Sequence, residues 1–200
     1  LLDRPFTGYP LHRAVYDRLH LLVPRITSEL ILRDGPIRIF TGPSGLSEDV
    51  FRSLEAAARW RPGGIEDIEV TALDLDPDGR IGKRLRARSH EMGLTMNFIQ
   101  GDLASTRWSE DDGRPFDIAI FVGLSSWLPR PQLLSHLRRL KESLSEDGVL
   151  FTDVFTAGAY ALSGWHAGYQ ANYYEPKTFA SLLDVCGFNG GSAVVTSGRD

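Results

Sequence analysis

Hydrophobic and polar positions change period several times along this chain, and the changes lay out its elements. Leu11, Val15, Leu19, Leu22 and Ile26 recur at helical spacing, which predicts a helix over 11–32 that Pro24 should kink or split. Further on, apolar runs at 37–40, 70–75, 97–99, 117–122, 149–154 and 193–196 read as strands. Helical patterns fill the gaps at 48–60, 80–92, 132–144 and 177–185. The strands are apolar on both faces, so helices must cover both. The expected fold is therefore α/β: a three-layer α-β-α sandwich around a mostly parallel, doubly wound sheet of six to seven strands. No repeat, low-complexity tract or linker divides the chain, and 200 residues suit one domain with an adequate core. Its expected parts are an amino-terminal helical cap or lid (1–34), a core (35–155), an aromatic insertion (156–176) and a closing helix and strand (177–200).

Composition narrows the class without naming a function. Hydrophobic residues at 42% and charged residues at 24% are ordinary for a soluble globular protein. A net charge of -4 gives no electrostatic reason to expect nucleic acid. Cys186 is the single cysteine, so no internal disulfide, CxxC pair or thiolate metal cluster is expected, and no metal. No apolar run approaches the ~20 residues that span a bilayer. Leu1-Leu2-Asp3-Arg4-Pro5 does not resemble a signal peptide. A cytoplasmic setting is the expectation, and the absence of an initiator Met leaves the natural ends open.

Candidate chemistry gathers at the strand ends. Thr41-Gly42-Pro43-Ser44-Gly45 lies between the first strand and a helix that Ser47 is expected to cap. Glycines let backbone approach a ligand closely, and the following helix aims free N–H groups at it. The loop is neither GxGxxG nor a P-loop, which lowers dinucleotide and nucleoside triphosphate readings. The next strand ends Leu73-Asp74-Leu75-Asp76-Pro77, where an acid can accept two hydrogen bonds from ribose hydroxyls. Asp74 is the choice for that role, and Asp76 is better placed to cap the next helix. The third strand closes on Gly101-Asp102-Leu103. Asp102 can accept an adenine amine, or simply be a turn residue; in series with Asp74 the first reading wins.

Fourth comes Pro115-Phe116-Asp117, a strand to Val122, Gly123-Leu124-Ser125-Ser126-Trp127-Leu128-Pro129, an amphipathic helix, and Asp147-Gly148-Val149-Leu150 opening the fifth strand. At this point the chain resembles a class I S-adenosylmethionine-dependent methyltransferase from Ile37 to Val154. The resemblance implies S-adenosylmethionine as cofactor and S-adenosylhomocysteine as product. It implies Thr41, Gly42, Ser44 and Gly45 around the methionine part, Asp74 and Leu75 at the ribose, and Gly101, Asp102 and Leu103 at the adenine. Gly123 and Leu124 would border the methyl group, with Ser125 and Trp127 on the acceptor side. One departure stands out: such proteins carry an acid near the end of the first strand, within reach of the cofactor's ammonium, where this chain reads Arg38-Ile39-Phe40-Thr41. Losing a charge-assisted hydrogen bond costs about 1.5–3 kcal/mol, roughly one to two decades in affinity. Glu48 or Asp49 can compensate from the first helical turn, against the plainer reading that they stabilise the helix dipole.

The acceptor side is read from what lies outside that frame. Residues 157–174 carry Tyr160, Trp165, His166, Tyr169, Tyr173 and Tyr174, a dense patch of amphipathic rings suited either to a pocket wall or to plain packing. His166 is the candidate base; His12, His20, His90 and His136 are expected at surface or capping positions. Tyr160, Trp165 and Tyr169, with Tyr9 and Tyr16 from an amino-terminal lid that also holds Phe6, complete the candidate acceptor pocket. The leading function is direct methyl transfer to a small-molecule or lipid-like acceptor by proximity and alignment. A non-catalytic or partner-dependent methyltransferase-like domain is the alternative, and a nicotinamide-dependent oxidoreductase is disfavoured by the glycine loop. A missing seventh strand would leave a sheet edge that pairs with a neighbour or is covered by the amino-terminal segment, so a dimer stays open.

Overall fold

In a computed structural model the described residues are 10–108, 113–156 and 171–188. They form α1 (Pro10–Leu32), β1 (Ile37–Thr41), α2 (Glu48–Ala57), β2 (Ile68–Asp74), α3 (Arg80–Glu91), β3 (Thr95–Gln100) and β4 (Phe116–Phe121). A single 3-10 turn (Ser125–Trp127), α4 (Arg130–Ser143), β5 (Leu144–Thr152) and α5 (Pro176–Val185) follow. The sheet order is β3-β2-β1-β4-β5, and every pairing is parallel. The described sheet thus has five strands, fewer than the six to seven expected. The run 193–196, read as a further strand, lies outside the described residues.

The doubly apolar strands explain the layers. Within β1, Ile37 and Ile39 point to one face and Phe40 to the other, and in β4 Ile118 and Ile120 oppose Phe116, Ala119 and Phe121. The first face is closed by Leu22, Ile26 and Leu30 of α1, by Val50, Phe51 and Leu54 of α2, and by Leu85 of α3. Leu133, Leu137 and Leu140 of α4 with Phe179 and Leu182 of α5 close the second. Phe40, Phe51, Phe116 and Phe121 are fully buried, each stabilising the fold by about 1.5–3 kcal/mol relative to exposure.

Two sequence expectations give way to packing. Pro24 does not split α1, which runs unbroken over 23 residues. Leu22, Ile26 and Leu30 are buried on both sides of the proline, and Ser53 Oγ donates to the Val23 carbonyl at 3.2 Å, so α2 holds both halves in one helix. The fifth strand begins at Leu144 rather than 149. Leu144 pairs with Phe116 and Val149 with Ile118, which leaves Ser145-Glu146-Asp147-Gly148 bulging out of the ladder instead of forming a separate turn.

Candidate functional site

The connections after β1 and β4 leave toward opposite faces, because α2 packs on one and α4 on the other. A crevice therefore opens at the carboxyl ends of these two neighbouring strands, the usual ligand position in an open α/β sheet. The loop after β1 is stitched down on both sides of it. Gly42 N donates to Ile120 O at 3.0 Å, Ser44 N to Leu73 O at 2.8 Å, and Gly45 N to Asp74 Oδ2 at 2.8 Å. Gly42 has to be glycine: a Cβ there would come within 2.8 Å of the Phe40 ring and 3.2 Å of Leu103. Gly45 has a φ of +49° and nothing within 4 Å of where a Cβ would point, so its surface faces open space beside Asp74. Thr41 is buried at the end of β1, and that strand offers no carboxylate.

Ser47 is a correction. It is left-handed, with φ 47°, and makes no side-chain cap on α2. Its Oγ turns back to the Ser44 carbonyl at 3.2 Å, while the first turn is served from within by Asp49 Oδ1, which accepts the Val50 amide at 2.9 Å.

Asp74 ends β2 half-buried. One carboxylate oxygen braces the loop through Gly45, and the other accepts the Asp76 amide at a long 3.3 Å. Leu75 beside it is 64% exposed. Asp76 caps α3, its carboxylate accepting the amides of Ile81 and Gly82 at 2.9 Å each. Burial pushes that carboxyl up, but the donating amides of Gly82, Ile81 and Arg80 outweigh it and hold the group below the ordinary value.

On the next strand the Gly101 amide donates to the Asp74 carbonyl at 2.9 Å, which sets the loop after β3 next to the end of β2. Asp102 is exposed and its Oδ1 accepts the Ala104 amide at 3.0 Å, a turn bond. Leu103 is buried under the loop after β1. Arg139 of α4 fixes this turn by donating to the carbonyls of Leu103, Ala104 and Thr106 at 2.7–2.8 Å and stacking 4.0 Å from the Trp108 ring. His136, one helical turn earlier, is 5% exposed rather than at the surface, and its Nδ1 has no hydrogen-bond partner among the described residues. Burial, helped by the Arg139 charge, lowers its pKa, so the imidazole is neutral at pH 7. Leu137 and Leu140 draw the same helix face inward and take His136 with it. His20 and His90 are exposed, as expected.

Beyond β4, Gly123 turns the chain at φ +80° and donates its amide to Asp153 Oδ1 at 2.6 Å. Asp153 Oδ2 accepts from Arg18 Nη1 of α1 at 2.9 Å. Leu124 is half-buried against the second core cluster. Ser125 is fully buried, its Oγ 3.1 Å from Thr152 Oγ1, and Trp127 stands edge-on to Phe155. Ser126 closes this corner, with its Oγ accepting the Phe155 amide and its carbonyl the Asn172 amide. Tyr16 is 63% exposed, set edge-on to His20. Phe6, Tyr9, His12, Tyr160, Trp165, His166 and Tyr169 lie outside what the structure describes at the side-chain level.

Arg18, Asp49 and Asp153 are the group that sequence reasoning assembled least well. Two signals were available. Arg18 stands among Val15, Leu19 and Leu22 on the apolar stripe of α1, where a cation needs a partner, and Asp153 follows a parallel strand just as Asp74 does.

The chain superposes on a protein of Bordetella parapertussis named as a possible exported protein, with a TM-score of 0.71 and 16% identity, over 93% of this chain and 65% of the other. It matches an S-adenosylmethionine-dependent methyltransferase of Agrobacterium tumefaciens at TM-score 0.61 and 12% identity, over 84% and 50%. It also matches Burkholderia thailandensis 1,6-didemethyltoxoflavin-N1-methyltransferase, solved with 1,6-didemethyltoxoflavin and S-adenosylhomocysteine, at TM-score 0.59 and 20% identity, over 92% and 75%. Against the first two the chain spans only 65% and 50% of their length. No protein-family model matches the chain, and no curated protein matches it by sequence. No helix among the described residues is long and apolar enough to cross a membrane. At these identities the likeness concerns architecture: the chain has the fold of the class I S-adenosylmethionine-dependent methyltransferases.

Proposed function

We propose that this chain binds S-adenosylmethionine across the carboxyl edge of its sheet and transfers a methyl group to a small-molecule or lipid-like acceptor. The observation that carries the reading is Asp74. It ends β2 beside the crevice, braces the loop after β1 through Gly45, and has its other oxygen tied, among the described residues, only by a 3.3 Å contact. A ribose hydroxyl is a better partner for that oxygen than the long amide contact it now has. Exposed Leu75 borders the ribose beside Asp74, and Asp102 forms the adenine side with Gly101 and Leu103. Thr41, Gly42, Ser44 and Gly45 supply the backbone floor, and Gly123 and Leu124 the wall beside the reacting carbon.

When bound, the cofactor supplies a methyl on a sulfonium, which passes to an acceptor lone pair as the carbon–sulfur bond breaks and a neutral thioether leaves. The chain's own part is to hold donor and acceptor in line and keep water out. Ser125 and Trp127 flank the acceptor side, with Tyr9, Tyr16, Tyr160, Trp165 and Tyr169 proposed as the remaining wall. His166 is the proposed base where the acceptor must lose a proton. The Burkholderia protein, solved with a small-molecule ligand beside S-adenosylhomocysteine, supports the acceptor class. The single thiol, Cys186, is buried and free, which fits a reducing, cytoplasmic setting.

A second reading, a cofactor-binding domain that needs a partner for turnover, draws on one observation: β1 ends in Thr41 with no acid for the ammonium. Calorimetric titration with S-adenosylmethionine, S-adenosylhomocysteine and NAD tests both. Binding of the two adenosyl ligands but not NAD is expected, and no adenosyl binding at millimolar concentration would sink the proposal. Binding without turnover on any acceptor favours the second reading.

A further inference from the structure

The sheet ends at β3, which pairs with β2 on one side and has no neighbour on the other among the described residues. Its register with β2 runs unbroken from Thr95 to Gln100. Edge strands are ordinarily protected from accepting another chain by a charge, a proline or a bulge within the strand. The sequence of β3, Thr95-Met96-Asn97-Phe98-Ile99-Gln100, has no charge and no proline, and Thr95, Asn97 and Gln100 are exposed.

What guards this edge stands on α3 instead. That helix carries Arg80, Lys83, Arg84, Arg86 and Arg88 against Glu91 alone, in a chain whose net charge is -4. Gly82 lets it sit directly on β3, since a Cβ there would come within 2.5 Å of the Phe98 ring. The cations divide between two flanks. Arg88 faces α2, where Glu48 and Glu55 take it at 2.7 and 3.2 Å. Arg86 faces β3, its guanidinium 5.6 Å over the Phe98 ring. Lys83 and His90 stand three before and four after Arg86, so they share the β3 flank, and all three are exposed. Neither Lys83 nor Arg86 has an ion-pair partner among the described residues, so the row facing the edge is unneutralised.

We infer that β3 and the adjoining flank of α3 form a docking site for an extended acidic polypeptide, which adds to the sheet beside β3 and sets its carboxylates against Lys83 and Arg86. The edge supplies main-chain donors and acceptors, which a polypeptide strand can satisfy as a ladder. The flank supplies the sign. Alternate residues of an added strand repeat roughly every 7 Å on one face, close to the roughly 4.5–6 Å rise between successive members of the helical row. A second copy of this chain is a poor occupant, because antiparallel pairing of two β3 edges sets α3 beside α3 and cation beside cation. This site lies two strands from β1, outside the crevice between β1 and β4, so it stands independently of the cofactor reading.

The test uses the whole chain and an acetylated, amidated peptide of alternating Glu and Thr, about eight residues long to overlap the edge. Two relatives of that peptide are its controls, one with Lys in place of Glu and one methylated at every backbone nitrogen, with single-stranded oligothymidylate as a second polyanion. Calorimetry should show the acidic peptide binding at least tenfold more tightly than either control peptide, and amide exchange should slow within 95–100 when it binds. Lys83→Glu and Arg86→Glu should each weaken it at least threefold; circular dichroism confirms folding, and should one variant fail to fold, the other decides. Equal binding of the methylated peptide, unchanged exchange in β3, indifference to both variants, tighter binding of oligothymidylate, or no peptide binding at millimolar concentration each overturns the inference.

Discussion

The two ends of the sheet each hold an arginine against aspartate, Arg61 buried and Arg18 half-buried, and they are built to opposite effect. At the amino edge, Arg61 follows α2 with its side chain 1% exposed. It pairs with both oxygens of Asp67 before β2 and donates to the carbonyls of Gly64 and Gly35, the latter just before β1. One cation meets one anion, and the Arg61 hydrogen bond holds the Asp67 carboxyl below its ordinary value. At the carboxyl edge, Arg18 meets Asp153 with Asp49 close by, and Asp49 is pushed above its ordinary value by burial. The first cluster is charge-balanced within the protein and ties loops together, although Arg61 Nε is buried without a hydrogen-bond partner among the described residues. The second sets two carboxylates against one guanidinium beside an open glycine surface.

Breaking the charge-balanced cluster should have the largest effect. Arg61→Met removes bonds to two carbonyls and leaves Asp67 without its partner, so unfolding stability should fall by about 2–3 kcal/mol. Urea denaturation with an unchanged m-value checks this, and the folded protein should still bind S-adenosylhomocysteine within twofold of the wild type. Asp74→Asn reverses that profile. It keeps an oxygen for the Gly45 amide but loses the second acceptor, so stability should hold while S-adenosylhomocysteine binding weakens at least tenfold, about 1.4 kcal/mol. Asp74→Ala should add a loosened loop after β1, because the 2.8 Å bond to Gly45 goes with it.

Smaller effects follow from the opposite shifts of the two aspartates. Asp67 has a folded pKa below its unfolded value of 3.8. Its stabilisation is therefore present above that value and lost as pH falls through the lower one. Its side chain is 36% exposed, so the contribution is screened to below about 1 kcal/mol. Asp49 runs the other way: its folded pKa lies above 3.8, so its ionised form costs stability that is absent in acid and grows as pH rises through the folded pKa. Asp67→Asn should accordingly lower the Tm at pH 7 and leave it unchanged in strong acid. Asp49→Asn should raise the Tm of the ligand-free protein at pH 7. Thermal melts of both variants between pH 3 and pH 7 distinguish the two signs.

The same contrast governs what the chain reveals before folding. Strands buried on both faces announce themselves as largely apolar runs, so β1, β2 and β4 are legible, and an acid near a strand's end singles out Asp74 as a candidate, with Asp102 in series behind it. Local chemistry also identifies the Asp76 cap. Contacts across the chain are another matter. Arg18 meets Asp153 from 135 positions away, and no spacing rule links them. Ser47 has the residue type of a cap but a left-handed backbone that turns its hydroxyl away. Pro24 has the residue type of a break, but burial on either side overrides it. His136 reads as a covering-helix residue because its helix is amphipathic, yet it falls on the inner face. Where one residue and its neighbours decide the outcome, the sequence is readable; where packing decides, it is not.

The nucleoside assignment of Asp74 is the claim on which the rest stands. A crystal structure of the chain with S-adenosylhomocysteine bound tests it most directly. Both ribose hydroxyls should lie about 2.5–2.7 Å from the Asp74 carboxylate, as short charge-assisted bonds do, with the Gly45 amide still on Oδ2. A nucleoside bound elsewhere, or a ribose out of hydrogen-bonding reach of Asp74, would contradict the account.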